Sequence, residues 1–334
     1  MRYVKPDSKD AAFHFSVEEY FMEHTPLSKP LFMIWQADNC AMLGANQVAQ
    51  AEVNLACACE NNIQTVRRLS GGGAIFTDLG TLLYTLILPD TNQKSTAEVL
   101  REAVAGPMVR ALYKLGIPAY MEGRNDLLAD GRKFSGMAQY VRKGRVCTHG
   151  SLMVNTDLDL LTRVLQVDED KILSKGIKSV RSRVTNLCEH MKAPVTAQEF
   201  WMILEGKLAE EWMFEPYNLS SADLTVIDNI RQERFATQYW TFGKSPPFTL
   251  HRSMRFLEGK IELFLDVAQG SIRTCTICGD FLATRPIGEL EKKLEGAALQ
   301  YEAIDAILTG CDLTPYLGDI AKEQVLEAVF GEVK

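Results

Sequence analysis

The stretch "RRLSGGGAIF", Arg67 to Phe76, sets two arginines, a serine and three consecutive glycines between the apolar runs "NIQTV" and "TLLYTLILP". Three residues without side chains give up more backbone entropy than a hairpin turn requires, where one glycine or Asn-Gly serves. Such a stretch is either a slack surface loop or a place where something comes very close to the backbone. Buried-type strands on both sides favour a tight connection, in which the N–H groups of Gly71, Gly72 and Gly73 line a concave surface for an anion or a carbonyl. Arg67 and Arg68 can supply forked donors beside it.

The surroundings of that stretch narrow the class. A chain of 334 residues exceeds what one core usually serves and reads as two domains. Net charge is −7, so bulk charge gives no attraction to nucleic acid. No apolar run approaches the roughly 20 residues that span a bilayer, and "MRYVKPDSKD" lacks the hydrophobic region of a signal peptide. Eight scattered cysteines read as reduced thiols, so a cytoplasmic protein with neither a membrane nor a nucleic-acid partner is expected.

Periodicity predicts an α+β chain. Asp7 is read as the cap of a first helix whose apolar face is Phe13, Val17, Tyr20 and Phe21. "LFMIWQ", "AMLGA", "QTVRRL" and "TLLYTLIL" read as strands and "QAEVNLACACENN" as a helix. Ser95 and Glu98 form a capping box for a helix ending near Gly116, which Pro107 must kink or split. Short strands, turned at "ADGRK" and "RKGR", fill 118–155, and helices follow around 157–165, 196–213 and 220–236. "WTFGKSPPFTL", with Gly243, Pro246 and Pro247, breaks the pattern. Residues 1–243 are therefore read as the main domain, 244–249 as a linker, and 250–334 as a small domain of meandering strands and short helices.

Familiar motifs are absent: no GxxxxGK[ST], no third glycine for a dinucleotide fingerprint, no HExxH. Cys275 and Cys278 lack the second pair that a zinc site needs, and on a strand two residues three apart face opposite sides. Two further segments share the chemistry of the glycine stretch. "GRNDLLADGRKFSGMAQ" carries Arg124, Asn125, Asp126, and Lys133 beside Ser135 and Gly136. That lysine is either a solvated turn residue or an ammonium aimed into a pocket. "SKGIKSVRSRVTNL" spaces Lys175, Lys178, Arg181 and Arg183 around Gly176, as a solvated face or as a loop that closes over a polyanion.

In order and separation, over nearly the whole chain, these segments resemble the lipoate–protein ligase family. "RRLSGGGAIFTDLG" is similar to its lipoate- and ATP-binding signature, "GRNDLL…GRKFSGMAQ" to its lysine-bearing motif, and "SKGIKSVRSRVTNL" to its adenylate-binding loop. "HGSLMVNTDLDLL", "FSVEEYF" and the terminal meander also match. The resemblance implies an α+β fold: a mixed-sheet catalytic domain of the biotin/lipoate ligase and class II aminoacyl-tRNA synthetase type, with a small α+β C-terminal domain. It implies lipoate salvage in two steps. Lipoate (or octanoate) and ATP give lipoyl-AMP, which then acylates a lysine of a lipoyl-acceptor domain, in a 2-oxoacid dehydrogenase E2 subunit or a glycine cleavage H protein. By family match Lys133 is catalytic, touching the carboxylate and the α-phosphate. Arg68, Gly73, Ala74, Ile75, Phe76, Lys133, Lys178, Arg181 and Arg183 bind ATP. Arg68, Ser70, Gly71, Gly72, Gly73, Lys133, Gly136 and His149 bind lipoate. Mg2+ is expected on the phosphates, with Asn125 and Asp126 nearest.

The chain departs from the family pattern at Ala45, Val48, Thr77, Thr81 and Thr148, which are expected around the acyl pocket and its acceptor side. Two rivals follow. One is an ATP-independent lipoyl or octanoyl transferase with Cys147 as nucleophile; the other is a degenerate module that only binds lipoate or an acceptor. The C-terminal meander shows no clustered cations, so it is expected to carry none of the adenylation chemistry.

Overall fold

The computed structural model describes residues 1–89, 95–166, 181–243 and 249–331. Eleven strands are described in the first 243 residues: β1 (Arg2–Val4), β2 (Leu31–Trp35), β3 (Cys40–Leu43), β4 (Gln64–Arg67), β5 (Ile75–Thr77), β6 (Thr81–Pro89), β7 (Ala119–Glu122), β8 (Asp126–Ala129), β9 (Arg132–Arg142), β10 (Arg145–Met153) and β11 (Glu215–Pro216). Eight of them form one mixed sheet in the order β11-β1-β2-β6-β10-β9-β8-β7. β1 runs parallel to both its neighbours, and the rest pair antiparallel. The hairpins at Asp130-Gly131 and Lys143-Gly144 have positive φ at both positions, the mirror-image turn that the right-handed twist of a two-residue hairpin demands.

The continuous apolar runs have a simple cause: the large sheet is buried on both faces. In β2, Leu31, Met33 and Trp35 join the helix Ala11–Glu19 in one core. Phe32 and Ile34 face the other core, under the helices Gly106–Lys114 and Ala197–Trp212. A small sheet, β4-β3-β5, flanks the large one.

Two helix expectations change. Asp10, not the exposed Asp7, caps the first helix, its carboxylate accepting the Ala12 N–H at 2.9 Å. The helix expected through "QAEVNLACACENN" is two pieces, Ala49–Glu52 and Leu55–Glu60. Val53 leaves the helix to bridge Leu165, and the Asn54 side chain caps the second piece through the Cys57 N–H at 3.1 Å. The Ser95–Glu98 capping box is present, and Pro107 neither splits nor ends the helix: it follows a π-helical turn, Leu100–Ala105, in which the Gly106 N–H reaches Arg101 O, and the backbone stays helical into Gly106–Lys114.

After 249 the chain forms a three-stranded meander, β12 (Leu250–Phe256), β13 (Gly259–Ala268) and β14 (Ser271–Gly279). The helices Gly288–Leu294, Tyr301–Thr309, Thr314–Leu317 and Lys322–Phe330 follow it. This part has its own core, including Ile261, Leu263, Ile277, Phe281, Leu317 and Val325. Within the proposed linker, 244–248 lie outside the described residues. Backbone hydrogen bonds seat the small domain on the large one: Gly72 N–H to Phe281 O at 3.0 Å, Gly279 N–H to Asn46 O at 2.9 Å, and Val141 N–H to Thr284 O at 2.8 Å. Arg124 donates to Glu258 O and lies 3.4 Å from the Asp319 carboxylate.

Arg67, expected as a ligand donor, is instead a structural cation. It is 1% exposed and donates to Gly44 O at 2.8 Å, Gln47 O at 2.7 Å and Thr241 O at 2.7 Å. Burial lowers its pKa to about 10, so it stays charged at neutral pH. Arg67→Met would leave several buried carbonyls without donors, each worth about 1–3 kcal/mol. A fall of at least ~3 kcal/mol in unfolding free energy is expected in a urea titration.

Candidate active site

Where the two domains meet lies a cavity of about 350 Å³. Its apolar wall includes Phe15, Trp35, Met42, Leu83 and Met137, the first four from one core cluster. Its polar wall includes Arg124, Asn125, Asp126, Lys133 and Arg183.

The backbone aims Lys133 into this space. Between β8 and β9 the register slips: Leu127 faces Ser135 but Leu128 faces Lys133, so Phe134 is an extra, fully buried residue. Such a bulge re-aims the neighbouring side chain. The Thr185 N–H fixes the Lys133 carbonyl at 3.0 Å, and the adjacent Val184 bridges Lys133 in parallel, which brings Arg183 to the same wall. The Lys133 ammonium lies 2.7 Å from the Asp126 carboxylate. A side chain at Gly136 would press on that ammonium at 3.0 Å, so the glycine keeps its place open.

Arg68 shapes the glycine stretch. Nε donates to Ser70 Oγ at 3.0 Å, Nη1 to Met42 O at 3.1 Å, and Nη2 to Gly71 O at 2.7 Å and Gly73 O at 2.8 Å. A guanidinium has five N–H donors, so nearly all of this one folds the loop. Burial lowers the Arg68 pKa to about 10, leaving a cation at neutral pH.

Behind the loop runs a buried polar chain. Ser70 Oγ lies 2.6 Å from His149 Nε2, and His149 Nδ1 lies 3.0 Å from both oxygens of Glu18. Glu18 also accepts Thr85 Oγ1 at 2.6 Å, and Thr85 accepts the Trp35 indole N–H at 3.2 Å. The pattern assigns the proton to Nδ1, with Nε2 accepting from the serine. The order serine–histidine–carboxylate mimics a nucleophile relay, but Ser70 is fully buried and does not line the cavity. The chain therefore positions His149, which does line it.

Of the residues singled out in the sequence, Arg68, Gly72, Gly73, Ala74, Ile75, Phe76, Asn125, Asp126, Lys133, Gly136, His149 and Arg183 all line this one cavity. Ser70 and Gly71 do not: Gly71 packs on the small domain, where an added Cβ would meet Phe281 O at 2.5 Å. Lys175 and Lys178 lie outside the described residues, and only the backbone of Arg181 is described. The departures at Ala45, Val48, Thr77, Thr81 and Thr148 do not line the cavity, contrary to expectation. The Ala45 N–H instead holds Ser70 O at 2.8 Å, and Thr81 Oγ1 lies 2.7 Å from Thr156 Oγ1.

Sequence patterns missed Glu18, hidden on a helix read for its apolar face. They also missed the small domain's contribution. Arg255, Phe256, Leu257, Gly259, Asp280 and Leu282 all line the cavity, so the domain expected to carry none of the adenylation chemistry forms part of the cavity's wall.

Comparison with known proteins agrees with this architecture. Residues 10–209 match the lipoyl protein ligase A/B catalytic domain, and 245–329 match the bacterial lipoate protein ligase C-terminus. The chain is 36% identical to lipoate-protein ligase LplJ of Bacillus subtilis over 329 residues, covering 96% of this chain and 97% of that one. The chain belongs to the lipoate–protein ligase family. Lipoate–protein ligase 1 of Staphylococcus aureus is 34% identical over 95% of this chain and 96% of its own. In fold, the structure of P. falciparum LipL1 in complex with lipoate superposes with a TM-score of 0.77 at 21% identity, covering 98% of this chain and 97% of that one. A lipoate-protein ligase A bound with ATP gives 0.63 at 23% identity over 72% of this chain and 98% of its own. The α+β fold of the biotin/lipoate ligase type is that of these relatives, and as a lipoate–protein ligase the chain is an enzyme.

Cys147 has the wrong environment for a transferase nucleophile. It is fully buried and does not line the cavity, and burial, reinforced by Glu18, pushes its thiol well above the usual range. Its sulfur, a Glu18 oxygen and a His149 nitrogen lie within 4.8 Å of one another, but Glu18 and His149 are already committed to each other. In the folded protein at neutral pH, iodoacetamide is expected to label the exposed Cys59 and leave Cys147 unmodified. Peptide mass mapping reads this directly, and early labelling of Cys147 would reverse the assignment.

Proposed function

We propose that the cavity activates lipoate with ATP and delivers the acyl group to a lysine of a lipoyl-acceptor domain. The observation that carries this reading is the Lys133 ammonium, aimed by a bulge into a cavity with one apolar and one cationic wall. The apolar wall of Phe15, Trp35, Met42 and Leu83 suits an acyl chain, and the cationic wall suits a carboxylate meeting a phosphate.

In the first step a lipoate carboxylate oxygen attacks the α-phosphorus of ATP. The bond from that phosphorus to the bridging oxygen breaks, and its electron pair leaves with pyrophosphate. Two anions must approach each other, and a fixed cation between them lowers the barrier more than mobile water does. Lys133 supplies that charge, and Asp126 holds it ready until substrate anions replace the carboxylate as its partner. Arg68 acts indirectly, by keeping Gly72 to Ile75 in the shape that receives the nucleotide. In the second step a neutral acceptor amine attacks the acyl carbon, AMP departs, and the amine nitrogen gives up a proton as the amide forms.

Magnesium suits this site as a companion of the nucleotide. Asp126 offers a carboxylate, and Asn125, whose amide nitrogen is committed to Met137 O at 2.6 Å, keeps a carbonyl oxygen. One or two such oxygens beside phosphate is the way magnesium is usually held, and it would supply charge neutralisation there.

Lys133→Met keeps the stem and removes the charge. Loss of one preorganised donor costs about 100- to 1000-fold in rate. Lipoate-dependent ATP–pyrophosphate exchange should fall by that factor with the melting temperature preserved, and near-normal exchange would refute the assignment. Cys147→Ala should keep ATP-dependent ligation, whereas ligation that persists without ATP would favour the transferase. Running the exchange with octanoate beside lipoate reads the acyl preference.

A further inference from the structure

We propose that Arg255, contributed by the C-terminal domain, binds the pyrophosphate that leaves in the first half-reaction; this rests on the ligase reading above. Arg255 lies one residue before the end of β12. Its guanidinium is 3.3 Å from the Asp280 carboxylate, whose other oxygen accepts the Lys260 N–H at 2.6 Å. Arg252 on the same strand is exposed, but the Arg255 side chain is only 12% exposed and lines the cavity.

Arg255 and Asp280 line the same cavity as Lys133 and Asp126. The cavity thus carries a cation–carboxylate pair on each domain's wall, Lys133 with Asp126 and Arg255 with Asp280. In each, the carboxylate balances the cation while no substrate is present and fixes where it points. Two of the other cavity cations are already committed to structure. Arg68 is tied to the glycine stretch, and Arg124 is tied to Glu258 O and Asp319.

Lys133 serves the reacting carboxylate and α-phosphate; Arg183 and magnesium can share the rest of a triphosphate's charge, and a guanidinium on the other domain's wall adds a cation for the part that departs. That charge grows on the departing oxygen as the bond from the α-phosphorus breaks. A planar guanidinium meets two phosphate oxygens at once, which an ammonium does not, so arginine is the suited residue for this role. Pyrophosphate exists only in the first half-reaction, so the effect of Arg255 is confined to it.

The test uses the full-length protein with three variants of position 255: Arg255→Gln, Arg255→Ala and Arg255→Lys. Two reactions are followed, lipoate-dependent ATP–pyrophosphate exchange over a range of pyrophosphate concentrations, and transfer to an acceptor domain from supplied lipoyl-AMP. Arg255→Gln and Arg255→Ala should lower exchange about 10- to 100-fold and raise the KM for pyrophosphate, the range for one lost hydrogen-bonded charge. Transfer from lipoyl-AMP should stay within about twofold of wild type, and Arg255→Lys should recover part of the exchange. Exchange within twofold of wild type in Arg255→Gln would overturn the proposal. So would a parallel loss of both reactions, which marks a residue that only holds the domains together. Wild-type protein is run beside the variants; if it too is silent in exchange, the ligase reading falls, and the Arg255 assignment with it.

Discussion

Burying a guanidinium is costly unless the chain supplies acceptors for its donors, and Arg67 and Arg68 meet that demand in opposite directions. Arg67 gathers Gly44 O, Gln47 O and Thr241 O, tying β4 to the loop after β3 and to the last helix before the linker. Arg68 gathers Met42 O, Gly71 O and Gly73 O and so bends the glycine stretch into the cavity wall. Drawing these carbonyls together crowds the backbone. A Cβ at Gly44 would collide with Gly72 O, and Gly72 itself adopts φ +87°. The glycines are required because the arginines pull the chain this close.

The same crowding couples the two domains. Gly72 presents its N–H to Phe281 O, and Gly71 leaves room for the backbone that crosses it. The surface read as an anion cradle is therefore also a seat for the C-terminal domain, and the cavity is complete only with both walls present. Below it, the chain from Ser70 through His149 to Glu18, Thr85 and Trp35 satisfies every polar group it contains at the boundary between apolar core and cavity.

Much of this was legible in the sequence because local chemistry determines it. The Asp-Gly and Lys-Gly hairpins, the doubly buried strands and the Ser95 capping box each follow from residues within a few positions. Lys133 and the glycine stretch were visible as candidates, since a lysine set among apolar strand residues and a close-packed backbone leave compositional traces. What stayed hidden depends on direction or on distance. Arg67 ends β4 and Arg68 follows it, and the two guanidinium groups are bound by different carbonyls, but sequence alone does not say which of them borders the cavity. Glu18 lay on a helix that was judged by its apolar residues. Arg255 belongs to a domain with no cation cluster of its own, and it gains its place only through docking contacts more than a hundred residues distant. The departures at Ala45 and Thr77 were misplaced for a related reason: closeness in sequence to a site motif does not make a residue part of the site's surface.

The central claim is that Lys133, held by Asp126, is the cation that substrate anions take over. A crystal structure of the full-length protein with a non-hydrolysable sulfamoyl analogue of lipoyl-AMP tests it most directly. The account predicts the Lys133 ammonium within hydrogen-bond distance, about 2.7–3.1 Å, of the acyl carbonyl or the sulfamoyl oxygens, with the acyl chain against Trp35 and Phe15. An adenylate bound elsewhere, with Lys133 still paired only to Asp126, would contradict it.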